Sequence, residues 1–332
     1  MKKIELIVLL IASTVLVCHL SSCTKEVDFT GEQSNPFLVV NGLQQAGQPA
    51  SLRVEKSVFF LDDQPDRRVK DVEVDLYVNG IFKESLQVRD SSIMEQYYIW
   101  TEEGEILKER LRYAFNYCEG QYVICDGDQL RFEVRSSEFD NATAEVTVPQ
   151  SPQVISFDTV RTEVSPDDYE VKLRFALQLN DPAGNNYYNL YPKDALSSFT
   201  SSDPVFTDLT AVDDIENLFG ENEYYGRGQY NLFTDKFFDG SEYTLTMETN
   251  WYLGEEYEYY QEPFTLEVTC MDSNFYQYFR SYRAFSNSDP ESLIGMFTEP
   301  VQVYSNVKNA VGVVAAQSQP VVVSVDLSQN GM

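Results

Sequence analysis

Apolar residues fall at every second position through much of this chain, and that alternation restricts it to a fold of half-buried β-strands. Val72, Val74, Leu76 and Val78 alternate with Glu73, Asp75 and Tyr77, and Asn79-Gly80 then leads into Ile81-Phe82. An Asn-Gly pair accepts the positive φ angles of a two-residue type I′ turn, so this stretch reads as a β-hairpin. Leu130, Phe132 and Val134 alternate in a further strand, and Ala144 through Val148, Phe37–Val40 and Leu52–Val54 read as others. Short strands between turns predict an Ig-like β-sandwich over residues 37–148. Pro149-Gln150-Ser151-Pro152 follows. Two prolines in four residues remove backbone donors and favour extended chain, which predicts a linker over 149–153.

Residues 154–332 read as a second β-rich, sandwich-like domain, which makes the whole chain all-β. Val171, Leu173, Phe175 and Leu177 alternate within Tyr169–Leu179, Asn180–Gly184 is a turn, and Tyr187–Tyr191 resumes as strand. Tyr243, Leu245 and Met247 define one later strand, and Phe264, Leu266, Val268 and Cys270 another. Val301–Tyr304 and Val321–Leu327 are expected as closing strands. Helical periodicity occurs once, near 272–285. Phe275, Tyr278, Phe279 and Tyr282 fall at i, i+3, i+4 and i+7, behind Asp272 or Ser273 as the N-cap. This amphipathic helix is expected to lay its aromatic face on the second sheet.

The N-terminus carries an address. Lys2 and Lys3 precede an apolar stretch from Leu6 to Val17, and Leu20-Ser21-Ser22-Cys23 closes it. Positive charges, a hydrophobic run and a small-residue cleavage site are the parts of a secretory signal peptide, expected here over 1–22. The run is shorter than the roughly 20 residues that cross a bilayer. Leu-Ser-Ser-Cys resembles the lipobox of bacterial lipoproteins. The resemblance implies a diacylglycerol thioether and acylation, such as palmitate, on Cys23, which would become the mature N-terminus. Residues 23–36 then form a polar tether, and Glu26 and Asp28 loosely match an acidic export signal for the outer surface.

Cleavage at Cys23 removes His19, the sole histidine, together with Lys2, Lys3 and Glu5, so 24 basic and 53 acidic residues become 22 and 52. A formal charge of −30 follows from those counts. So acidic a chain repels phosphate backbones, which argues against a nucleic-acid partner. Loss of histidine removes Ser-His-Asp and Cys-His chemistry. Phosphate-loop, nucleophile-elbow and His-Glu-x-x-His motifs are absent from the sequence. No catalytic residues, cofactor or metal site is therefore expected. Asp126-Gly127-Asp128 and Asp213-Asp214 are the acidic clusters nearest to a calcium loop, and both fall short of its ligand density.

Two constellations remain. Cys118 and Cys125 bracket a six-residue stretch in an envelope protein, which favours a disulfide, with free thiols on adjacent strands as the alternative. Trp251, Tyr252, Tyr257, Tyr259 and Tyr260 alternate with carboxylates around Gly254, placed at a hairpin tip. Such rings can stack on sugars or peptides, or turn inward as ordinary strand residues.

Phe233-Thr234-Asp235-Lys236-Phe237-Phe238-Asp239-Gly240-Ser241-Glu242-Tyr243, the helix opening Ser273-Asn274-Phe275-Tyr276, and Glu299-Pro300-Val301-Gln302-Val303-Tyr304-Ser305-Asn306-Val307-Lys308-Asn309 carry a wider likeness. So do Asp181-Pro182-Ala183-Gly184-Asn185-Asn186-Tyr187-Tyr188 and Ala144-Glu145-Val146-Thr147-Val148-Pro149. Together they resemble the Bacteroidetes lipoproteins catalogued as domain of unknown function 4249. Asn309-Ala310 departs from the Asn-Gly pair usual in those proteins. The resemblance implies a cell-envelope lipoprotein, anchored in the outer membrane and facing the exterior, with a TonB-dependent transporter as neighbour. It assigns no catalytic residue. A non-enzymatic ligand-binding or docking accessory is the leading expectation. A pilin-like or adhesin subunit comes next, and a carboxylate-based glycan hydrolase third.

Overall fold

The hairpin at Asn79-Gly80 forms as expected, with φ of 53° and 81° at the two turn residues. The computed structural model describes residues 35–58, 66–101, 104–165, 170–193, 199–200, 203–205, 210–212, 230–252, 263–287 and 302–325. The lipobox with Cys23, Asp213-Asp214, Gly254, Tyr257, Tyr259 and Tyr260 lie outside the described residues.

In chain order the first strands are β1 (Leu38–Gln45), β2 (Pro49–Lys56), β3 (Glu73–Val78), β4 (Ile81–Ser85), β5 (Gln87–Thr101) and β6 (Gly104–Val123). Next come β7 (Gln129–Arg135), β8 (Ala142–Thr147), β9 (Gln153–Ser165), β10 (Glu170–Asn180), β11 (Tyr187–Pro192) and β12 (Phe199–Thr200). The last are β13 (Thr210–Val212), β14 (Tyr230–Thr234), β15 (Glu242–Tyr252), β16 (Phe264–Met271), β17 (Val314–Gln317) and β18 (Val321–Val325), with helix α1 (Ser273–Asn287) after β16. The all-β expectation holds, and among the described residues no helix is long and apolar enough to cross a membrane.

One ten-stranded sheet runs β13-β14-β11-β16-β17-β1-β2-β6-β5, with β18 also paired to β16. Two four-stranded sheets, β4-β3-β7-β8 and β12-β15-β10-β9, pack on it. The first buries Val74, Leu76, Phe132 and Val146 against Val40, Leu52 and Val54. The second buries Phe175, Leu177 and Leu245 against Leu190, Leu266 and Val268. Side-chain alternation sends Val314 and Ala316 of β17 into the first of these cores, and Val313 and Ala315 to the opposite face. On that face Phe275, Tyr278 and Phe279 of α1 are buried, as their helical spacing predicts. Asp272 caps α1 by accepting from the Phe275 amide at 3.0 Å.

Four expectations need correcting. The 37–148 segment does not close its own sandwich. Strand β17 pairs in parallel with β1, from Gly42–Val314 to Gln45–Gln317, and Val307, Val314 and Ala316 complete the first core. Pro36–Met332 accordingly forms one compact unit. The Pro149–Pro152 stretch lies outside strands but is pinned, because Asp126 accepts from the Ser151 amide at 2.9 Å and its hydroxyl at 2.6 Å. Residues 302–304 are irregular rather than a closing strand. There the backbone amide of Tyr304 donates to the Ser281 hydroxyl at 2.8 Å.

The fourth concerns Cys118 and Cys125, which are free thiols. The residues between them continue β6 instead of looping. Cys118 sits buried in the sheet opposite Leu52 and Val88, while Cys125 is exposed beyond the strand end. Seven residues of largely extended chain span about 20 Å, far beyond the Cα separation a disulfide tolerates.

Candidate functional site: a polar cleft between the two four-stranded sheets

A cleft of about 1010 Å³ opens where the two four-stranded sheets approach each other. The β7–β8 ladder gives one wall, through Gln129, Arg131, Glu145 and Thr147. Arg131 and Glu145 are cross-strand neighbours, so their side chains share a face. The Arg131 guanidinium lies 3.9 Å from the centre of the Tyr77 ring and pairs with Glu133, which fixes its direction. Pinned by Asp126, the 149–153 segment forms the rim.

The facing wall comes from the turn after β10 and from the N-terminus of α1. Two loops interlock to hold that turn. Asp181 accepts from the Gly240 amide at 2.8 Å and from the Tyr188 hydroxyl. Asp235 accepts from the Asn186 amide at 2.7 Å, and Asp239 from the Gly184 amide at 2.8 Å. Asn186 then spans Pro182 and Gly184 through its side-chain amide. Burial, followed by neighbouring Asp181 and Asp239, raises the Asp235 carboxyl above the ordinary range, against the lowering effect of Asn186. Carboxylate oxygens of Asp181, Asp235 and Asp239 lie within 4.8 Å of one another, and each carboxylate already accepts a backbone N–H that interlocks the loops.

At the helix end, Asp272 accepts from the amides of Phe275 and Ala316, each at 3.0 Å, and from Asn274 at 2.6 Å. Burial nonetheless pushes its carboxyl up to about 6, because desolvation outweighs those bonds. Tyr304 donates to Asn274 at 2.7 Å, which holds the Asn274 side chain in place at the cleft. Cys270 also lines the cleft, and burial pushes its thiol up to about 12. It is an uncharged core thiol there.

Among the described residues the wall therefore offers amides, hydroxyls, one guanidinium and one exposed carboxylate, Glu145, with apolar groups between them. Such a surface can order a polar ligand through several directional hydrogen bonds. Asp272, the second carboxylate on the lining, is occupied with capping.

Of the aromatic candidates, the described Trp251 and Tyr252 are not among the lining residues. Trp251 and Tyr252 end β15, in register with Val171 and Glu170 of β10. Strands β15 and β16 belong to different sheets and do not pair with each other, so they do not form the expected hairpin. Asp126 and Asp128, weighed for calcium, serve protein donors instead. Asp126 accepts from Ser151 and Gln319, and Asp128 from Tyr122, Cys125 and Asn79. Sequence reasoning missed Arg131, Gln153, Asn186 and Asn274 as cleft residues. A signal was nevertheless present: the stretches 144–149, 181–188 and 273–276, which carried the family likeness, all contribute to the lining.

A family model described as "Domain of unknown function (DUF4249)" matches residues 24–320, a span that includes every cleft residue. No curated protein matches the chain.

Proposed function

This chain belongs to the DUF4249 family, and from that premise we propose that it is a non-enzymatic binding lipoprotein of the cell envelope. In this reading Cys23 anchors it in the outer membrane, and the cleft takes up a polar ligand beside a TonB-dependent transporter. The observation that carries the reading is the cleft, whose volume of about 1010 Å³ reaches the upper range of small-ligand sites. Its lining supports binding over catalysis. Of the two carboxylates among its described lining residues, Asp272 is half-buried and engaged with three donors, leaving Glu145 without an acid partner among them.

The lipobox supports the anchor, and the acidic surface supports solvent exposure without adhesion to anionic headgroups. A polymerising subunit would need a strand that leaves its own fold to complete a neighbour. Here β18 is paired along β16 from Phe264–Val325 to Val268–Val321, which favours the binding reading. The test is extraction of the full-length protein from its own envelope in mild detergent. The reading expects a Cys23 lipopeptide and co-purification of a β-barrel transporter. An unlipidated chain running alone as a monomer would sink it.

A further inference from the structure

Strands β5 and β6 run far past the sheet that carries them. Strand β6 pairs with β2 only between Asn116 and Val123, and with Asp66 through a single bridge at Ala114. Beyond that point, β5 and β6 pair only with each other among the described residues. A bulge lies at the root, since Ile93 opposes Tyr113 while Met94 opposes Leu111, leaving Arg112 over. Inside the bulge Ile93, Tyr113, Phe115 and Tyr117 form a small buried cluster, with Arg53 stacked on Phe115 at 4.1 Å. Outside it a two-stranded arm of eight residue pairs, Met94–Leu111 to Thr101–Gly104, extends about 25 Å.

Register sorts the side chains of this arm. Met94, Tyr98 and Trp100 share one face with Leu111 and Leu107 across the ladder. All five are exposed, Trp100 by 78% and Tyr98 by 62%. A hairpin without support on either face is marginal in water, and an exposed aromatic and aliphatic stripe on strands that, among the described residues, pair only with each other invites a partner. Charge decides which partner. In sequence, residues 94–111 hold Glu95, Glu102, Glu103, Glu105 and Glu109 against Lys108 and Arg110. Glu105 opposes Trp100 and Glu109 opposes Gln96 on this same face, so acids lie among the apolar side chains. The whole chain carries −29, which sets it against a second copy and against an anionic lipid surface. Aromatic anchors ringed by charge are the usual composition of a protein-binding hot spot.

We infer that the β5–β6 arm is a docking element for a protein partner whose apolar groove is bordered by Lys and Arg residues. The inference goes beyond the cleft reading and stands without it. The test places a photo-reactive benzophenone amino acid at position 98 of the full-length chain in its own cells and identifies the adducts by mass spectrometry. One dominant protein adduct is expected, cross-linked at an apolar segment flanked by basic residues. Its yield should fall at least about tenfold in Trp100→Glu, and likewise in Glu105→Lys combined with Glu109→Lys, as desolvated anchors and complementary charge require. Lys108→Glu should keep or raise it. Each variant should melt with the parent, because these side chains lie outside the cores. A lipid adduct, an adduct to a second copy, no adduct, or a protein adduct indifferent to the charge reversal would each overturn the inference.

Discussion

Replacing Gly312 by alanine tests how the last third of the chain is joined to the first. Gly312 has φ of +122°, and a Cβ there would lie 2.1 Å from the Val40 carbonyl oxygen and 2.8 Å from Asn41 Oδ1. Both obstacles belong to β1, and the nearer one is backbone that no rotamer change can move. Relief requires β1 and the 311–313 segment to part by about 1 Å or more. That separation strains the Val40 N–Val311 O and Gly42 N–Val313 O bonds, both 2.9 Å, and the Val313 N–Asn41 Oδ1 bond at 3.0 Å. Three hydrogen bonds at about 1 kcal/mol each, with about 1 kcal/mol for alanine at positive φ, give roughly 4 kcal/mol. At about 2.1 cal/mol/K per residue over roughly 300 residues, this lowers Tm by about 6 °C. Gly184→Ala is the matched control, since Gly184 has φ of +123° and nothing within 4 Å of the added Cβ. It bears only the backbone strain, about 1 kcal/mol or 2 °C. Differential scanning calorimetry of the two variants reads the difference directly. Equal melting temperatures would refute the claim that this segment is wedged against β1.

Three further predictions follow from the same geometry. Asp272 titrates near 6 in the folded chain against 3.8 ordinarily, so between those values the native state binds more protons. The stability this group contributes is complete below pH 3.8 and is lost as pH rises to about 6, by at most about 3 kcal/mol. Asp272→Asn should flatten Tm against pH across that window, and parallel curves would contradict it. In the native protein Cys125 should react with a thiol reagent, while Cys118, buried and with its thiol pushed up to about 12, should react only after denaturation. A bridged Cys118–Cys125 peptide in a non-reducing digest would contradict this. The Asp181, Asp235 and Asp239 cluster locks two loops through backbone donors, so Asp239→Asn should cost about 1 kcal/mol, with millimolar calcium leaving Tm unchanged. A rise of several degrees on adding calcium would instead make the cluster an ion site.

Legibility in the sequence tracked how local each feature is. The Asn79-Gly80 turn and the Phe275, Tyr278, Phe279 stripe specify themselves within a few residues, and both form as read. Strand β17 is four residues, Val-Ala-Ala-Gln, inserted between β16 and β1. Its identity comes from neighbours distant in sequence, and nothing local announces it. The arm escaped for the opposite reason. With both faces exposed, Glu95, Gln96, Lys108 and Glu109 break the alternation that marks half-buried strands. The cysteines misled because their spacing fits a loop as well as a strand, and only the sheet decides between them. The cleft could not be read as a unit, since Arg131, Ser151, Asn186 and Asn274 converge only after the sheets assemble.

Cleft occupancy is the most direct test of the binding reading. Native mass spectrometry of the lipoprotein, extracted intact and exposed to a polar extract of its own growth medium, would compare the parent with Asn185→Trp. Asn185 is an exposed lining residue, so tryptophan there obstructs the cleft without entering a core. The expected result is a non-covalent polar adduct on the parent that is absent from the variant, with equal melting temperatures. An unliganded parent, or an adduct retained in full by Asn185→Trp, would contradict it.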